Sequence, residues 1–102
     1  MTRATIVVEG TFRTTGHAAH FAEYSRVVRA YLENHRGVVV RRQRVDKLLY
    51  GRHKPDLVML IDFPDAAVAE RILFAPEYLA IVPLRDKVFA DFRMYLAAFG
   101  EI

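Results

Sequence analysis

Three side chains that can transfer protons are spaced at helical intervals early in the chain. His17, His20 and Tyr24 stand at i, i+3 and i+7, which places their rings on one stripe of a helix. Because imidazole titrates near neutral pH and binds metals through a neutral nitrogen, the stripe could serve proton transfer or half of a metal site. Glu23 points elsewhere and no other ligand stands at suitable spacing, so a partly exposed helix margin is the simpler interpretation. We predict no metal site and keep His20 and Tyr24 as candidate catalytic residues.

A second set of polar side chains falls on predicted strands and consists of Glu9, Asp62, Arg93 and Tyr95. If the registers of neighbouring strands coincide, these residues would form one buried polar group. Two carboxylates whose surroundings push their pKa values apart can carry out acid–base chemistry. In the structural alternative, Arg93 neutralises a carboxylate and fixes the register of two sheets in a dimer. All four are therefore candidate ligand-binding residues.

Basic residues are concentrated between Arg36 and Lys54, where seven cations stand against one acid, Asp46. Such a segment can attract phosphates or anionic metabolites. Arginine and lysine on an edge strand also prevent sheets from pairing edge to edge, which is the simpler interpretation. Nucleic-acid binding through this basic hairpin is a weaker alternative, because the segment lacks interleaved aromatic residues apart from Tyr50.

Composition sets the class of protein. The chain has 102 residues, of which 53% are apolar, and this predicts a single domain over residues 1–102 with one modest core. It has no cysteine, which excludes disulfides and thiolate sites and fits a reducing compartment. The first apolar run is far shorter than the ~20 residues of a membrane span and too short for a secretion signal. We therefore expect a soluble cytoplasmic protein.

The first two elements must position the histidine stripe and Glu9. Alternation of apolar residues predicts a strand over residues 4–13, and helical periodicity predicts a long amphipathic helix that ends near His35. Thr14 or Thr15 is expected to cap the helix, and Gly37 to end it.

The next elements form a hairpin and a jointed helical segment. The second strand is expected to begin at Val38 and to continue through the basic run to residue 50, and the third covers residues 57–63. Asp65 is placed to cap a short helix. Pro76 and Pro83 each suit the first turn of a helix, which predicts two brief helical pieces. Alternation over residues 90–99 predicts a last strand, with a helix as the alternative.

The order β-α-β-β-α-β is that of the α+β ferredoxin-like fold, with a four-stranded antiparallel sheet covered by helices on one side. The other face of the sheet would carry Val7 and, among polar residues, Val58, Leu60 or Leu96. Covering that face with a second copy gives a homodimeric α/β barrel, which would bury about 800 Å² per partner.

The chain resembles a family of small bacterial proteins of unknown function in the dimeric α/β-barrel superfamily. The likeness covers nearly the whole chain and is most specific at Ala75-Pro76-Glu77-Tyr78, Pro83-Leu84-Arg85 and Ile61-Asp62-Phe63-Pro64, with Val40-Arg41 as a further match. The chain departs from the family in having Arg42-Gln43 where the family commonly has Gly-Gly. It also has His53 where the family often has tryptophan.

The resemblance singles out Tyr78, Arg85 and Arg41. A guanidinium offers a planar fork for a carboxylate or phosphate, and a tyrosine hydroxyl can orient an enolate or phenolate oxygen. Alternatively, Tyr78 packs its ring into the joint while Arg85 pairs with Asp86 or Glu77.

Together these patterns favour a small dimeric barrel that binds a small anionic or carbonyl-bearing molecule, with no metal, flavin or haem as cofactor. Arg41 and Arg85 would hold a negative oxygen, and His20, Tyr24 or Tyr78 would transfer a proton. The alternative is a non-catalytic assembly or regulatory module whose polar groups serve only a dimer. No motif in the sequence names a reaction or identifies an enzyme.

Overall fold

Residues 3–99 are described by the computed structural model and run in the order β-α-β-β-α-α-α-β. The strands are β1 (Ala4–Phe12), β2 (Val38–Arg44), β3 (Leu57–Phe63) and β4 (Phe89–Ala98). The helices are α1 (His17–Asn34), α2 (Ala66–Ile72), α3 (Pro76–Leu79) and α4 (Val82–Val88).

The four strands form one antiparallel sheet in the order β2-β3-β1-β4, which confirms the α+β ferredoxin-like prediction. Alternate residues of β1 and β3 are buried, because helices cover only one face of the sheet. Buried residues of α1, α2, α3 and α4 join the covered face in one hydrophobic core. Within a single chain the sheet is open, with β2 and β4 at its edges.

The uncovered face carries Val7, Val58 and Leu60, as predicted, and each of them is half-buried. Leu96 pairs with Ile6, whose side chain is buried under the helices, so Leu96 belongs to the covered face. The suggestion that Leu96 lies on the bare face is therefore wrong, because alternation along β4 puts it on the side of Phe92 and Met94.

Helix α1 buries Tyr24, Val28 and Leu32 against the sheet, as its periodicity predicts. The predicted threonine caps are wrong: the N-cap is Gly16 in the left-handed conformation at φ 81°, and among the described residues no side chain caps this end. The positive φ at this point redirects the chain from β1 into the helix. Glycine adopts this left-handed conformation without steric cost.

The C-terminus of α1 also differs from the prediction in detail. Arg36, at φ 68°, takes the left-handed conformation there, while the Gly37 N–H donates to the Leu32 carbonyl at 2.8 Å. A Cβ on Gly37 would lie 2.7 Å from the Phe63 ring. Glycine is therefore required here for close packing rather than for its backbone freedom.

Strand β2 ends at Arg44, six residues before the predicted limit. Just beyond it the Val45 N–H still donates to the Asp56 carbonyl and the Asp56 N–H to the Gly10 carbonyl, after which the backbone leaves the ladder. Residues 45–56 form a loop that exposes Leu49 and Tyr50. A break in the β2–β3 register between Val39 and Arg41 leaves Val40 as the extra residue of a β-bulge.

The jointed helical segment has the predicted organisation. Asp65 caps α2 by accepting the Ala67 N–H at 3.0 Å. Pro76 and Pro83 lie in the first turns of α3 and α4. In the described part of the chain, no helix is both long and apolar enough to cross a bilayer.

Candidate functional site

Tyr78 of α3 and Arg85 of α4 meet at the edge of the core, where Tyr78 is buried and Arg85 is half-buried. Tyr78 is 2% exposed, and its hydroxyl accepts from Arg85 Nη1 at 3.3 Å and lies 3.9 Å from the Met94 sulfur. The Arg85 guanidinium also lies 4.7 Å from the centre of the Phe92 ring, within cation–π range. We call Tyr24, Tyr78 and Arg85 the closed cluster.

Electrostatics in the closed cluster follow from burial. Burial raises the pKa of Tyr24, the neighbouring Tyr78 adds to the rise, and Arg85 offsets part of it. For Arg85, burial acts to lower the pKa, but the hydrogen bond to Tyr78 and the charge of Asp86 raise it overall. Both groups therefore hold their protons across the physiological range.

The space in the closed cluster is small. The void bordered by Tyr24, Tyr78 and Met94 measures about 10 Å³, about the minimum that a water molecule needs. Tyr24 and Tyr78, which the sequence offered separately as candidate catalytic residues, therefore lie close together, but in the packed interior. His20 lies one turn before Tyr24 and is half-buried.

The predicted group on the sheet is only partly assembled. Glu9 faces Arg93 across β1 and β4, and the Tyr95 hydroxyl donates to Glu9 Oε1 at 3.3 Å. The Arg93 Nε–H instead donates to Asp91 Oδ2 at 3.0 Å. The group lies on the uncovered face and is not buried: the Arg93 side chain is 46% exposed.

Asp62 does not join Glu9. It pairs with Thr5 at the other end of β1 and accepts the Thr5 hydroxyl at 2.6 Å. Glu9 lies four residues after Thr5, which is about 13 Å along a strand. The residue that does approach Glu9 is His53, whose Nε2 lies 4.0 Å from Glu9 Oε1 and is buried without a hydrogen-bond partner among the described residues. Sequence reasoning did not place His53 there, because the loop that carries it has no regular period.

Arg41 pairs with Leu60 of β3 and so belongs to the uncovered face, whereas Arg85 lies among the helices. The sheet therefore separates the two guanidinium groups that the sequence assigned to one ligand. Arg42 takes the covered face: its Nη1 donates to Ser25 of α1 at 2.7 Å, and its guanidinium lies 5.5 Å from the centre of the Phe21 ring.

A groove between the first half of α1 and the end of β2 has a volume of about 510 Å³, within the usual range of ligand pockets. We call it the ligand groove. It is lined by Phe12, His17, Ala18, Phe21, Ala22, Arg42, Gln43, Arg44, Asp56 and Leu57.

The walls of the ligand groove combine cations with aromatic rings. Arg42 is held by Ser25 and Phe21, which leaves most of the N–H donors of its fork for a ligand. Arg44 follows two residues later on the same face. The one carboxylate, Asp56, is engaged, because its Oδ2 accepts the Phe12 N–H at 2.9 Å.

Aromatic stacking fixes the floor of the ligand groove. The rings of His17 and Phe12 are stacked at 4.6 Å and 9°, and Phe89 stacks on Phe12 at 5.5 Å. Gly10 makes room for this stack, since a Cβ there would come within 2.4 Å of the Phe89 ring. The rings are thus held by packing rather than left to rotate.

The first turn of α1 also borders the ligand groove. Its first four N–H groups lack partners within the helix, and the helix dipole adds positive charge at this end. Together with Arg42 and Arg44, this end makes the groove attractive to an anion. Among residues 3–99 no group of three His, Cys, Asp or Glu side chains is arranged to hold a metal ion.

Sequence reasoning missed the ligand groove as a site. His17 was noticed only as part of a helical stripe, and Arg42 and Arg44 only as part of the basic segment. The excess of arginine in β2 was the available signal, but the bulge at Val40 prevents simple alternation from assigning each arginine to a face.

The fold and the groove define a small ferredoxin-like α+β protein with a cationic pocket beside its first helix. The profile of the domain of unknown function DUF1330 matches residues 5–98, and the chain therefore belongs to that family. This agrees with the expected likeness to a family of unknown function. No curated protein gives a significant match.

Solved structures agree with the fold. A protein of unknown function from Rhodopseudomonas palustris is 22% identical, with a TM-score of 0.81 over 99% of this chain and 85% of that one. A DABB family protein with a ferredoxin-like fold from Mesorhizobium loti is 16% identical, with a TM-score of 0.67 over 100% and 99% of the two chains. A protein from Bacteroides fragilis, described as dimeric and ferredoxin-like, is 10% identical, with a TM-score of 0.64 over 95% and 96%. At these identities the likeness establishes the fold alone.

Proposed function

We propose that this protein binds a small anionic metabolite with a flat or apolar body in the ligand groove. The observation that carries the proposal is the contrast in space: about 510 Å³ in the groove against about 10 Å³ beside Tyr78. A volume of that size holds a small molecule, whereas the closed cluster has no room for one.

The chemistry of the walls selects the charge of the ligand. Arg42 and Arg44 offer planar forks that match a carboxylate or phosphate, and Arg42 is already oriented by Ser25. Phe12 and Phe21 offer apolar surface to the remainder of the molecule. The ligand-binding role that the sequence assigned to Arg41 and Arg85 thus passes to Arg42 and Arg44.

Two adjacent arginines on opposite faces of β2 provide a matched test. Acidic metabolites, quinones, aromatic carboxylates and inorganic phosphate would be screened by thermal shift and then titrated by calorimetry. We expect Arg42→Ala to weaken binding about 10- to 100-fold, because it removes a charge-assisted hydrogen bond. Arg41→Ala should leave the affinity unchanged.

Two results would count against this site. One is a full panel without any stabilising ligand. The other is a ligand whose affinity depends on Arg41 and not on Arg42, which would return the site to the uncovered face of the sheet.

We also propose that two copies associate through the uncovered face. Its centre carries Val7, Val58 and Leu60, which are half-buried in the single chain. Solved structures of similar fold from Bacteroides fragilis and Thermobifida fusca are described as dimeric, which supports the idea. Stacking two such sheets would cover this apolar strip and produce the barrel expected from the sequence.

Mass in solution tests this association. We expect a dimer by light scattering or sedimentation, and a monomer after Leu60→Glu, whereas Leu49→Glu in the exposed loop should remain dimeric. Circular dichroism would verify that each variant is folded. A stable dimer that binds nothing in the panel would favour the alternative of a non-catalytic assembly module, and a monomeric wild-type protein would refute the association.

A further inference from the structure

The ligand groove is lined by one imidazole, that of His17. His17 Nδ1 lies 2.8 Å from the carbonyl oxygen of Arg13. A carbonyl oxygen only accepts hydrogen bonds, so Nδ1 carries the hydrogen. In the neutral imidazole the lone pair is then on Nε2, which is the nitrogen able to accept a proton.

The orientation of this imidazole is fixed before any ligand arrives. Its ring is stacked on Phe12 at 4.6 Å and 9°, and the edge of Phe21 meets Phe12 at 5.4 Å and 88°. A catalytic base that is held by packing and a backbone hydrogen bond does not have to be ordered during the reaction. This is the arrangement expected of a general base with its partner in place.

We propose that His17 is the general base for keto–enol tautomerisation of small 2-oxo acids bound in the ligand groove, a proposal that rests on the proposed function. The substrate carboxylate would bind the guanidinium of Arg42 or Arg44. The same cations would stabilise negative charge that develops on the carbonyl oxygen. An aromatic 2-oxo acid suits the apolar wall formed by Phe12 and Phe21.

The reaction balances without a further reagent. Nε2 of His17 removes a proton from the carbon next to the carbonyl group, and the C–H bond breaks. The electron pair of that bond forms a C=C double bond, and the carbonyl oxygen becomes an enolate oxygen. The imidazolium then gives the proton to this oxygen, which produces the enol and restores neutral His17.

The other charged groups that face the ligand groove are Arg42, Arg44 and Asp56. Asp56 accepts the Phe12 N–H at 2.9 Å, so its carboxylate already serves the backbone. Guanidinium groups do not act as bases, because they stay protonated. His17 is the one imidazole that lines the groove, and a backbone hydrogen bond and ring stacking both hold it in place.

Phenylpyruvate is the probe for the experiment. Full-length protein in deuterated buffer would be followed by proton NMR for exchange of the hydrogens at C3, with buffer alone as the background. His17→Asn keeps an N–H close to the position of Nδ1 but lacks Nε2, and His17→Gln is a second variant in case the first is poorly folded. His35→Gln, at the opposite end of α1, is the matched control.

We expect wild-type protein and His35→Gln to accelerate exchange, and both His17 variants to lose at least about 100-fold of the protein-dependent rate. The Kd for phenylpyruvate should stay within about 3-fold, since the carboxylate is held by arginine rather than by His17.

The experiment distinguishes a failure of ligand binding from a failure of catalysis. If phenylpyruvate binds with dependence on Arg42 but exchanges no faster than in buffer, or exchanges equally fast in the His17 variants, the tautomerisation is refuted and the proposed function stands. If other anions bind in the groove but phenylpyruvate does not, the substrate class is wrong. If no anion binds, the proposed function is refuted, and the tautomerisation, which depends on it, is refuted as well.

Discussion

The closed cluster and the ligand groove lie on either side of α1, use the same residue types, and differ in what their polar atoms contact. In the closed cluster Arg85 donates to the Tyr78 hydroxyl and to Asp86, beside a void of only about 10 Å³. In the ligand groove Arg42 donates to Ser25 at the edge of a space of about 510 Å³. An arginine, an aromatic ring and a proton-transferring group therefore do not define a site unless the fold leaves room beside them.

The largest expected effect of the closed packing around Tyr78 is on the free energy of unfolding. Tyr78→Ala removes a side chain that is 2% exposed, and we expect the free energy of unfolding to fall by about 4 kcal/mol, the cost of a large buried truncation. Tyr50→Ala is the control, because Tyr50 is 96% exposed and should change stability by less than about 0.5 kcal/mol. Urea denaturation gives both values. Equal values for the two variants would mean that the core beneath α3 is not closed.

The aromatic floor shared by the two regions is the next point to test. Gly10→Ala places a Cβ within 2.4 Å of the Phe89 ring, and overpacking of this kind should cost about 2 kcal/mol. Combining it with Phe89→Leu should recover part of the loss, because leucine lacks the ring atoms that clash. A double-mutant cycle measured by denaturation would reveal this coupling, and strict additivity would contradict close packing of Gly10 against the Phe89 ring.

Alkaline pH distinguishes the buried tyrosine of the closed cluster. Burial raises the pKa of Tyr24 above its ordinary value of 10.0, so above pH 10 the unfolded chain loses this proton before the folded protein does. Stability is therefore complete below pH 10 and declines as the pH rises further. At pH 11 the wild type should lose about 1.4 kcal/mol more than Tyr24→Phe does, relative to pH 9. Parallel declines in urea titrations of the two proteins would show that Tyr24 reaches solvent.

The smallest expected effect is the difference in stability loss between variants of Arg85 and Arg42. Replacement by methionine keeps the apolar stem and removes the charge. Arg85→Met leaves the Tyr78 hydroxyl without its donor and should cost about 1 kcal/mol. Arg42→Met should cost less than about 0.5 kcal/mol, because its contact with Ser25 is exposed to solvent. Thermal or urea denaturation compares them, and the reverse order would invalidate the distinction between the two regions.

Periodicity was sufficient for most of the architecture. The alternation in β1 and β3, the buried stripe of α1 and the positions of Pro76 and Pro83 were all readable from neighbouring residues. The extent of β2 was not, because a run of basic and apolar residues continues past Arg44 while the backbone leaves the ladder. Where β2 ends depends on which of its residues pair with β3, and those partners are distant along the chain.

The sequence indicated which types of residue form the candidate site, but it did not predict fully how they are arranged in space. Sequence reasoning placed Glu9, Arg93 and Tyr95 near one another, and the register of β1 and β4 does so. It also associated Asp62 with them, but residues that share a face can still lie at opposite ends of a strand. Tyr78 and Arg85 were identified as a pair, although the pattern contained nothing about the volume between them.

The amino-acid sequence by itself therefore determined the order of the elements, the ferredoxin-like plan and the concentration of positive charge in β2. These depend on local periods of 2 and 3.6 residues, which each segment carries within itself. The tertiary structure alone decided that Arg42, and not Arg41, faces the ligand groove, since the bulge at Val40 shifts the alternation by one residue. The physical reason is that a side chain's face in a sheet depends on the pairing of its strand, and pairing is a property of two strands together.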